Sequence, residues 1–319
     1  MERKYVVAGG AGFLGSHTVD FLLESGHNVV VLDDFSTGSM NNLDKHIDSP
    51  HLEIFETDIT ERVPDIKDVD GVFHLACHGN PSDYENAEIN TLSANSFGTV
   101  NLLNLARRND AWFVYFSSSE IYGNHLSIPK DGLEEGTHSI QSLLHKRSHY
   151  PIGKMFGEEI TKRYCDESDI EYLIIRPFNI YGPRMDSKSE YGRVIINFFK
   201  WALNQKPCVV NGDGMQTRSF LYIDDFISFI KRIMESNIAH LNWNVVNVGY
   251  PREITILELA KMINKITRNK AGIKHAPRYP EEPMFRLPNI ERARELGWEP
   301  EISLEEGLER LMDQLLEVV

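Results

Sequence analysis

The sequence feature that most constrains the fold is a glycine-rich loop at residues 9–15, which read GGAGFLG. The loop follows a short apolar run at residues 5–8 and opens a helical pattern at residues 12–25, which predicts a strand, a turn and a helix. Small residues in such a turn let backbone N–H groups approach a pyrophosphate, and the helix N-terminus adds partial positive charge. The segment therefore predicts a dinucleotide-binding turn, with a glycine-rich turn without a ligand as the alternative.

An acidic pair, Asp33 and Asp34, follows the next apolar run at residues 28–32. An acid at this place accepts hydrogen bonds from both ribose hydroxyls and repels a 2′-phosphate. Because no Arg or Lys occurs between Asp33 and Asp44, the sequence favours NAD over NADP. Asp34 is interpreted as a solvated loop acid. Asp58 could meet the adenine edge or serve in a turn or a helix cap.

Short apolar runs alternate with helical patterns through the first half of the chain. Strands are predicted at residues 5–8, 28–32, 51–55, 71–75, 111–116 and 171–175, and helices at residues 12–25, 90–109 and 150–167. This alternation predicts an α/β fold, a Rossmann-type doubly wound parallel sheet. Frequent prolines after Arg176 predict a smaller, irregular C-terminal lobe. We therefore predict an NAD-binding domain over residues 1–175 and a second lobe over residues 176–319.

Charge and cysteine content exclude several classes of protein. The chain has 33 Lys and Arg against 47 Asp and Glu, a net charge of −14, which argues against a nucleic-acid binder. No stretch approaches the roughly 18 apolar residues that a membrane helix needs, and no signal-peptide apolar region precedes the first strand. Cys77, Cys165 and Cys208 are too few and too scattered for a disulfide framework or a zinc site. These observations predict a cytoplasmic protein without a metal.

Tyr150 and Lys154 stand four residues apart, on one face of a predicted helix. A free tyrosine titrates near pH 10, so a tyrosine base near neutrality needs a pKa lower by about 3 units, or roughly 4 kcal/mol. A lysine ammonium and an oxidised nicotinamide both favour the phenolate. The strand at residues 111–116 ends in SSSE at residues 117–120, where ligands bind in doubly wound sheets. A serine hydroxyl there could relay or orient a substrate proton, whereas Ser117 is interpreted as ending the strand.

With these residues the chain resembles the extended short-chain dehydrogenase/reductase family over essentially its whole length. The family's Gly-x-x-Gly-x-x-Gly motif corresponds to Gly9, Gly12 and Gly15, and its Ser/Thr–Tyr–Lys set to Ser118, Tyr150 and Lys154. The resemblance implies a Rossmann-type fold and bound NAD. The implied cofactor contacts are Gly9, Gly12, Phe13, Leu14, Gly15, Asp33, Asp58, Ile59, Leu75, Ala76, Tyr150 and Lys154.

Within that family the chain is most similar to the UDP-glucuronic acid decarboxylases. Four segments carry this similarity: residues 117–123 (SSSEIYG), 176–184 (RPFNIYGPR), 212–220 (GDGMQTRSF) and 283–290 (PMFRLPNI). Glu120 after Ser119 is the most discriminating feature, because similar epimerases usually lack the glutamate and 4,6-dehydratases carry Asp-Glu. Residues 81–84 also resemble that group's Pro-Pro-His-Tyr segment, in which the tyrosine, here Tyr84, approaches the sugar.

The resemblance implies oxidation of a UDP-glucuronate C4 hydroxyl, loss of CO2 from the 4-keto sugar, and formation of UDP-xylose. It assigns catalytic roles to Ser118, Tyr150, Lys154, Glu120 and Arg218. Ser118 and Tyr150 would hold the developing oxygen charge. Glu120 would position or distort the ring, with a buried helix-capping or salt-bridging acid as the alternative. Arg218 would lie near C5 or the diphosphate, and Arg286 would clamp the diphosphate in bidentate fashion. The implied substrate contacts are Tyr84, Ser119, Asn179, Arg184, Arg218 and Arg286, and for each arginine a surface salt bridge is the alternative.

Several residues depart from the decarboxylase pattern. Ala8 replaces a threonine, Ser118 replaces a threonine but keeps the hydroxyl, and Pro151 follows the catalytic tyrosine, where the first turn of a helix tolerates proline. Asn211 stands where relatives often place an aromatic residue against uracil. A His-rich segment at residues 138–149 precedes Tyr150, but its spacing does not support a metal site.

Three alternative functions stay open, and the sequence also predicts a second copy of the chain as a partner. The main alternative is a UDP-sugar 4-epimerase, in which the keto sugar rotates and receives hydride on its other face. A sugar-nucleotide dehydratase and a catalytically silent NAD-binding scaffold are the remaining alternatives. Relatives pair two helices in a dimer bundle, and the predicted helices at residues 90–109 and 150–167 carry surplus apolar residues, which predicts a homodimer; a core confined to one chain is the alternative.

Overall fold

The computed structural model describes residues 2–81, 85–125, 127–141, 143, 146–185, 193–236, 241, 243–278 and 283–317. Its strands are β1 (Lys4–Ala8), β2 (Asn28–Asp33), β3 (Leu52–Glu56), β4 (Gly71–His74), β5 (Trp112–Phe116), β6 (Tyr172–Pro177), β7 (Ile180–Tyr181), β8 (Cys208–Asn211), β9 (Thr217–Ser219), β10 (Leu221–Tyr222), β11 (Val245–Val248), β12 (Glu253–Thr255) and β13 (Ile273–Ala276). Its α-helices are α1 (Phe13–Glu24), α2 (Glu88–Ser93), α3 (Thr99–Asn109), α4 (His149–Ser168), α5 (Val194–Leu203), α6 (Ile223–Glu235), α7 (Ile256–Ile266), α8 (Glu291–Glu295) and α9 (Leu304–Glu317).

The main sheet has seven parallel strands in the order β3-β2-β1-β4-β5-β6-β11. The chain winds outward from β1 to β3 and then returns to the other side of β1 with β4. Such a reversal opens a crevice at the carboxyl ends of the two central strands. The predicted Rossmann-type doubly wound sheet is therefore confirmed, and the crevice positions the functional site.

Alternate residues of each strand pack against helices on opposite faces of the sheet, as expected for strands buried on both sides. On one face, Val7 of β1 joins Val19 of α1 and Phe226 of α6 in the larger core. On the other face, Val6 joins Leu102 of α3 in a second core that also includes part of α4. The continuous apolar runs of the sequence reflect this double burial.

The later part of the chain forms smaller units beside the main sheet. Three two-stranded sheets are formed there: β13 with β8 and β12 with β9 contact α7, β8 also contacts α5, and β10 with β7 contacts α6. Thr255 and Glu258 form a capping box that begins α7. The division of the chain at residue 175 stays a prediction, and β11, which follows that position, pairs with β6 inside the main sheet.

The predicted helix at residues 90–109 is interrupted. A π-helical turn, Ala94–Gly98, separates α2 from α3, and Asn95 in this turn is buried. Such turns insert one extra residue per hydrogen-bonded ring and recur at functional sites. In the described parts of the chain, no helix combines the length and the apolar character needed to cross a membrane.

Candidate active site

A cavity of about 1290 Å³ lies along the carboxyl ends of β1, β2, β4, β5 and β6. This volume exceeds the roughly 300–1,000 Å³ of a typical small-ligand site, so a cofactor and a substrate can share it. The lining includes these sequence-predicted residues: Gly9, Gly12, Phe13, Leu14, Gly15, Asp33, Asp58, Ile59, Leu75, Ala76, Ser118, Ser119, Glu120, Tyr150, Lys154, Asn179, Arg218 and Arg286.

The glycine loop has the geometry that a pyrophosphate requires. Gly9 has a φ of +80°, and a Cβ there would lie 2.6 Å from the amide nitrogen of Ala76. A Cβ at Gly15 would lie 2.0 Å from the carbonyl oxygen of Gly9. Among the described residues no side chain caps the first turn of α1, whose first three residues line the cavity. The loop and the helix N-terminus therefore fit the pyrophosphate of NAD.

Asp33 lies at the end of β2 and is buried. Its Oδ2 accepts a hydrogen bond from the amide of Ala11 and its Oδ1 from the amide of Phe35, each at 2.9 Å. Burial raises the pKa of Asp33, and these two amide bonds oppose the rise. Because each carboxylate oxygen has two lone pairs, Asp33 can still accept a hydrogen bond from a ribose hydroxyl.

The other two acids of this region make local turns. The Oδ1 of the exposed Asp34 accepts hydrogen bonds from the amide, at 2.9 Å, and the hydroxyl, at 2.6 Å, of Ser36. The Oδ1 of Asp58 accepts from the amide of Thr60 at 2.8 Å while the residue lines the cavity. Asp58 thus makes the predicted turn and also lines the predicted cofactor side of the cavity.

Tyr150 and Lys154 lie in the first two turns of α4 and are both buried. The Lys154 ammonium donates a hydrogen bond of 2.7 Å to the carbonyl oxygen of Phe116, the last residue of β5. The Ser118 hydroxyl is hydrogen-bonded with the Tyr150 phenol and accepts from the Glu120 amide at 3.1 Å. The structure therefore brings together the serine, tyrosine and lysine that the sequence predicted as one set.

Burial has the largest effect on the pKa values of Tyr150 and Lys154. It raises the pKa of Tyr150 well above its usual range, the nearby Cys77 adds to the rise, and the hydrogen bond with Ser118 opposes it. Burial also lowers the pKa of Lys154, whereas Cys77 and Glu158 act in the opposite direction. The phenol of the protein alone is therefore protonated at neutral pH. A cationic ligand beside the phenol would lower its pKa, which suits an oxidised nicotinamide.

A charged pair lies next to this set. The Arg286 side chain is 2% exposed and donates a hydrogen bond of 2.6 Å to the carbonyl oxygen of Ser119. A second nitrogen of Arg286 lies 3.4 Å from a carboxylate oxygen of Glu120, whose side chain is 46% exposed. The guanidinium is thus held against Ser119 and Glu120, the two residues that follow Ser118, on the cavity wall.

The other residues predicted to contact the substrate differ in whether they line the cavity. Arg218 donates to the carbonyl oxygens of Thr217 and Pro283, at 2.7 and 2.9 Å, and lines the cavity with Asn179 and Asn211. In the described chain Arg184 lies apart from the lining, because its guanidinium donates to Asp20 of α1 at 2.6 Å. Tyr84 lies outside the described residues.

Arg147, Arg193 and Cys77 are among the lining residues that the sequence analysis did not place in the site. Arg147 precedes Tyr150 by three residues, a spacing that could have signalled it, and forms an ion pair with Glu85. Arg193 precedes α5 with a φ of +47° and has no local signal in the sequence. The Cys77 sulfur accepts a hydrogen bond from an amide N–H of Asn95 at 3.1 Å.

The His-rich segment before Tyr150 is described in part. In the part of the chain that the structure describes, no three His, Cys, Asp or Glu side chains are close enough to hold a metal ion. His145 of this segment lies outside the described residues.

The fold and the site define a dinucleotide-dependent enzyme, and comparisons with known proteins give its family. A sequence model described as the NAD dependent epimerase/dehydratase family matches residues 5–249. The chain therefore belongs to this NAD-dependent family.

Two relatives and one solved structure narrow the comparison. The chain is 40% identical over 306 residues to UDP-glucuronic acid decarboxylase 4 of Arabidopsis thaliana, covering 96% of this chain and 67% of the relative. It is 39% identical to UDP-glucuronic acid decarboxylase 3 of the same plant, covering 96% and 87%. The solved UDP-glucuronic acid 4-epimerase of Bacillus cereus, in complex with UDP-glucuronic acid and NAD, has a TM-score of 0.83 at 28% identity, covering 99% and 100%.

We predict that Tyr150→Phe abolishes turnover while NAD binding persists, because the variant keeps the ring but loses the oxygen that, as a phenolate, accepts the proton. A loss of about 10²–10⁴-fold is expected for a missing acid–base group. The measurement is the initial rate with UDP-glucuronic acid, beside NAD affinity by calorimetry. Tyr164→Phe on the same helix, whose hydroxyl donates to Asn104, is the control. Undiminished activity of Tyr150→Phe would refute the assignment.

Proposed function

We propose that this enzyme is a UDP-glucuronate decarboxylase that forms UDP-xylose through a 4-keto intermediate and retains NAD. The observation that carries the proposal is the ion pair of Arg286 and Glu120 on the cavity wall, where Arg286 also contacts Ser119, the residue after Ser118. A carboxylated sugar with C4 near Tyr150 would present its carboxylate to this guanidinium. The two relatives that are 39% and 40% identical, both named UDP-glucuronic acid decarboxylases, support the same reaction.

The first part of the reaction uses the buried tyrosine as a base. Bound NAD supplies the redox chemistry, accepting a hydride from the sugar and later returning it. Tyr150 accepts the proton of the sugar's C4 hydroxyl. The Ser118 hydroxyl, which is hydrogen-bonded with the Tyr150 phenol, orients the C4 hydroxyl. Lys154 supplies a fixed positive charge that favours the phenolate. The C4 hydroxyl then becomes a ketone within the cavity at the carboxyl ends of the strands.

The second part follows from the chemistry of a β-keto acid. The 4-ketone lies β to the C5 carboxylate, so the C–CO2 bond breaks with its electron pair delocalised into the ketone as an enolate. Tyr150 and Ser118 stabilise the developing oxygen charge, and such donors are typically worth about 3–4 kcal/mol. Protonation at C5 and reduction at C4 then give the pentose.

Arg286 and Glu120 control the carboxylate in this step. A guanidinium binds a carboxylate in bidentate fashion, but a pair that is too stable would hold back CO2 loss, because CO2 is neutral. Glu120 competes for the same guanidinium at 3.4 Å and so limits the stabilisation of the bound carboxylate. This position favours the sugar end of the cavity for Arg286, rather than the diphosphate clamp expected from sequence.

The diphosphate of the substrate is assigned to the other arginines of the lining. Arg218 and Arg193 both line the cavity and both follow β6 in the chain. Four acids of the lining, Asp33, Asp34, Asp58 and Glu61, end or follow β2 and β3 on the opposite side of β1, whereas Glu120 follows β5 and faces Arg286. The two ends of the cavity therefore differ in charge, which directs the UDP diphosphate away from the cofactor's adenosine.

A UDP-sugar 4-epimerase is the second candidate. The observation that favours it is the similarity over 99% of this chain to the Bacillus cereus epimerase, whose solved complex holds UDP-glucuronic acid and NAD. The two reactions share the oxidation at C4 and differ in the fate of the keto sugar. Glu120 with Arg286 supports the decarboxylase, because an epimerase must keep the carboxylate.

We also propose a homodimer and a cytosolic location. Large apolar side chains on α2, the π-helical turn and α4 are exposed: Ile89 (72%), Phe97 (67%), Met155 (38%) and Phe156 (51%). These helices contact one another, so the residues form one face that a second copy can cover in a four-helix arrangement. The cytosolic location rests on the three cysteines, each of which is free.

Incubation of the purified protein with UDP-glucuronate and NAD tests the proposed function. We expect CO2 and UDP-xylose in equal amounts, because each turnover releases one carboxylate carbon. Nucleotide sugars are separated by chromatography and CO2 is trapped and counted. UDP-galacturonate without CO2 would overturn the decarboxylase in favour of the epimerase, and a 4-keto-6-deoxy product from a hexose nucleotide would indicate a dehydratase.

Substitution of the charged pair tests the decarboxylation step. Glu120→Gln and Arg286→Lys should each lower the rate of CO2 release by about 10²–10³-fold, because lysine lacks the planar fork and glutamine the charge. Arg184→Lys, at a guanidinium outside the cavity lining, is the control and should stay close to the parent. Parental rates in both pair variants would show that the pair has no part in the reaction.

Sedimentation at micromolar concentration tests the dimer. The parent should sediment as a dimer, and a variant carrying both Phe97→Asp and Phe156→Asp as a monomer, because charged groups cannot be buried unpaired in an apolar contact. Leu316→Asp, at an exposed leucine on α9, controls for the added charge. A monomeric parent would contradict the proposed assembly.

A further inference from the structure

Tyr115 lies next to the catalytic lysine but takes no part in the reaction described above. It is fully buried on β5, one residue before the carbonyl that Lys154 contacts. The Lys154 ammonium lies over the Tyr115 ring, 5.2 Å from its centroid. This distance is within the range of roughly 6 Å in which an aromatic face attracts a cation.

The tyrosine hydroxyl is fixed by two unusual features of the chain. It donates a hydrogen bond of 2.7 Å to the side-chain oxygen of Asn95, which the π-helical turn presents to the interior. A Cβ at Gly157 of α4 would lie 2.0 Å from the same hydroxyl, so the absence of a side chain there makes room for it. The Asn95 amide in turn donates to the carbonyl of Thr91 at 2.8 Å and to the sulfur of Cys77 at 3.1 Å.

We propose that Tyr115 is a positioning residue for Lys154: its ring holds the ammonium in place beneath Tyr150, and its hydroxyl bond to Asn95 fixes the ring. The inference rests on the proposed role of Lys154 in favouring the phenolate of Tyr150. It assigns no contact of Tyr115 with substrate or cofactor.

The physical need for such a partner follows from the burial of Lys154. A buried ammonium loses its hydration, and Lys154 is hydrogen-bonded to the Phe116 carbonyl oxygen and to the Cys77 side chain, which accounts for two of its three donors. An aromatic face attracts a desolvated cation more strongly than an exposed one. Burial keeps Tyr115 a neutral phenol, because it raises the pKa of that residue well above its usual range.

Other titratable groups also face Lys154 and Tyr150. They are Glu158 on α4, His74 on β4, Cys77 after β4 and Glu120 in the turn after β5. His74 is neutral in the working range, because burial lowers its pKa to about 3. Substitution at Tyr115 leaves all four groups in the chain, so a change in the titration of Tyr150 reports on the ring.

The sign of the effect can be worked out from the charges. Loss of the ring makes the charged form of Lys154 less favourable and leaves the ammonium less well placed. A weaker or displaced positive charge stabilises the Tyr150 phenolate less, so the pKa of Tyr150 rises. The acid limb of the pH–rate profile, where activity falls as the pH is lowered, then moves to higher pH.

The test compares Tyr115→Leu, which removes the ring, with Tyr115→Phe, which removes only the hydroxyl. Phenolate absorbance of each NAD-bound protein is titrated against pH, and the step missing from Tyr150→Phe is assigned to Tyr150. We expect Tyr115→Leu to raise this midpoint by about 0.5–1 pH unit and Tyr115→Phe to raise it by less than half as much. The acid limb of CO2 release from UDP-glucuronate should move by the same amounts, with the substrate KM unchanged.

Tyr172→Leu, at a buried tyrosine on β6, controls for loss of an aromatic side chain from the sheet. Thermal melting confirms that each variant folds. An unchanged Tyr150 midpoint in folded Tyr115→Leu would overturn the inference, as would an equal shift in Tyr115→Phe. Because the absorbance titration needs no substrate, failure of the proposed decarboxylation would leave this test intact.

Discussion

The rest of the site depends on the contacts that stabilise the buried ammonium of Lys154. Removing an ammonium from water costs several kcal/mol unless protein groups replace the lost hydration. Two such groups, the Phe116 carbonyl and the Tyr115 ring, belong to β5, whose position is set by parallel pairing with β4 and β6. The order of the central sheet therefore places a cation beside Tyr150, and that cation makes a buried phenol usable as a base.

Charge is distributed unevenly over this acidic protein. A net charge of −14 describes the whole chain, whereas a ligand responds to the groups near it. Arginines 193, 218 and 286 line the cavity on one side of β1, and the acids that follow β2 and β3 line it on the other. An anionic sugar nucleotide and the adenosine half of a dinucleotide thus meet different electrostatic surroundings within one cavity.

Sequence predicted those parts of the fold and site that depend on local patterns. The glycine loop, the alternation of strands and helices, and the Tyr150–Lys154 spacing each lie within one or two elements, and the structure reproduces all three. The π-helical turn was missed, because a helical period does not distinguish it from α-helix. The pairing of β11 with β6 was also missed, because a short apolar run does not indicate which strand it pairs with.

The positions of the arginines show the same limit. Arg184 follows a segment typical of substrate sites, but its partner is Asp20, far away in the chain. For Arg286 the diphosphate clamp stays a prediction, with a salt bridge as its alternative, and its contacts with Ser119 and Glu120 depend on how the C-terminal segment returns to the end of β5. The contact of Tyr115 with Gly157 likewise requires the packing of α4 on the sheet, which no local pattern contains.

We propose that one cavity oxidises C4 of the sugar, releases CO2 from the keto sugar and returns the same hydrogen to C4. NMR and scintillation counting of the product made in deuterated water from UDP-glucuronate labelled with tritium at C4 test this proposal. We expect UDP-xylose that keeps the C4 tritium and gains one solvent deuterium at C5. Loss of the C4 label to solvent, or a product without solvent deuterium at C5, would contradict it.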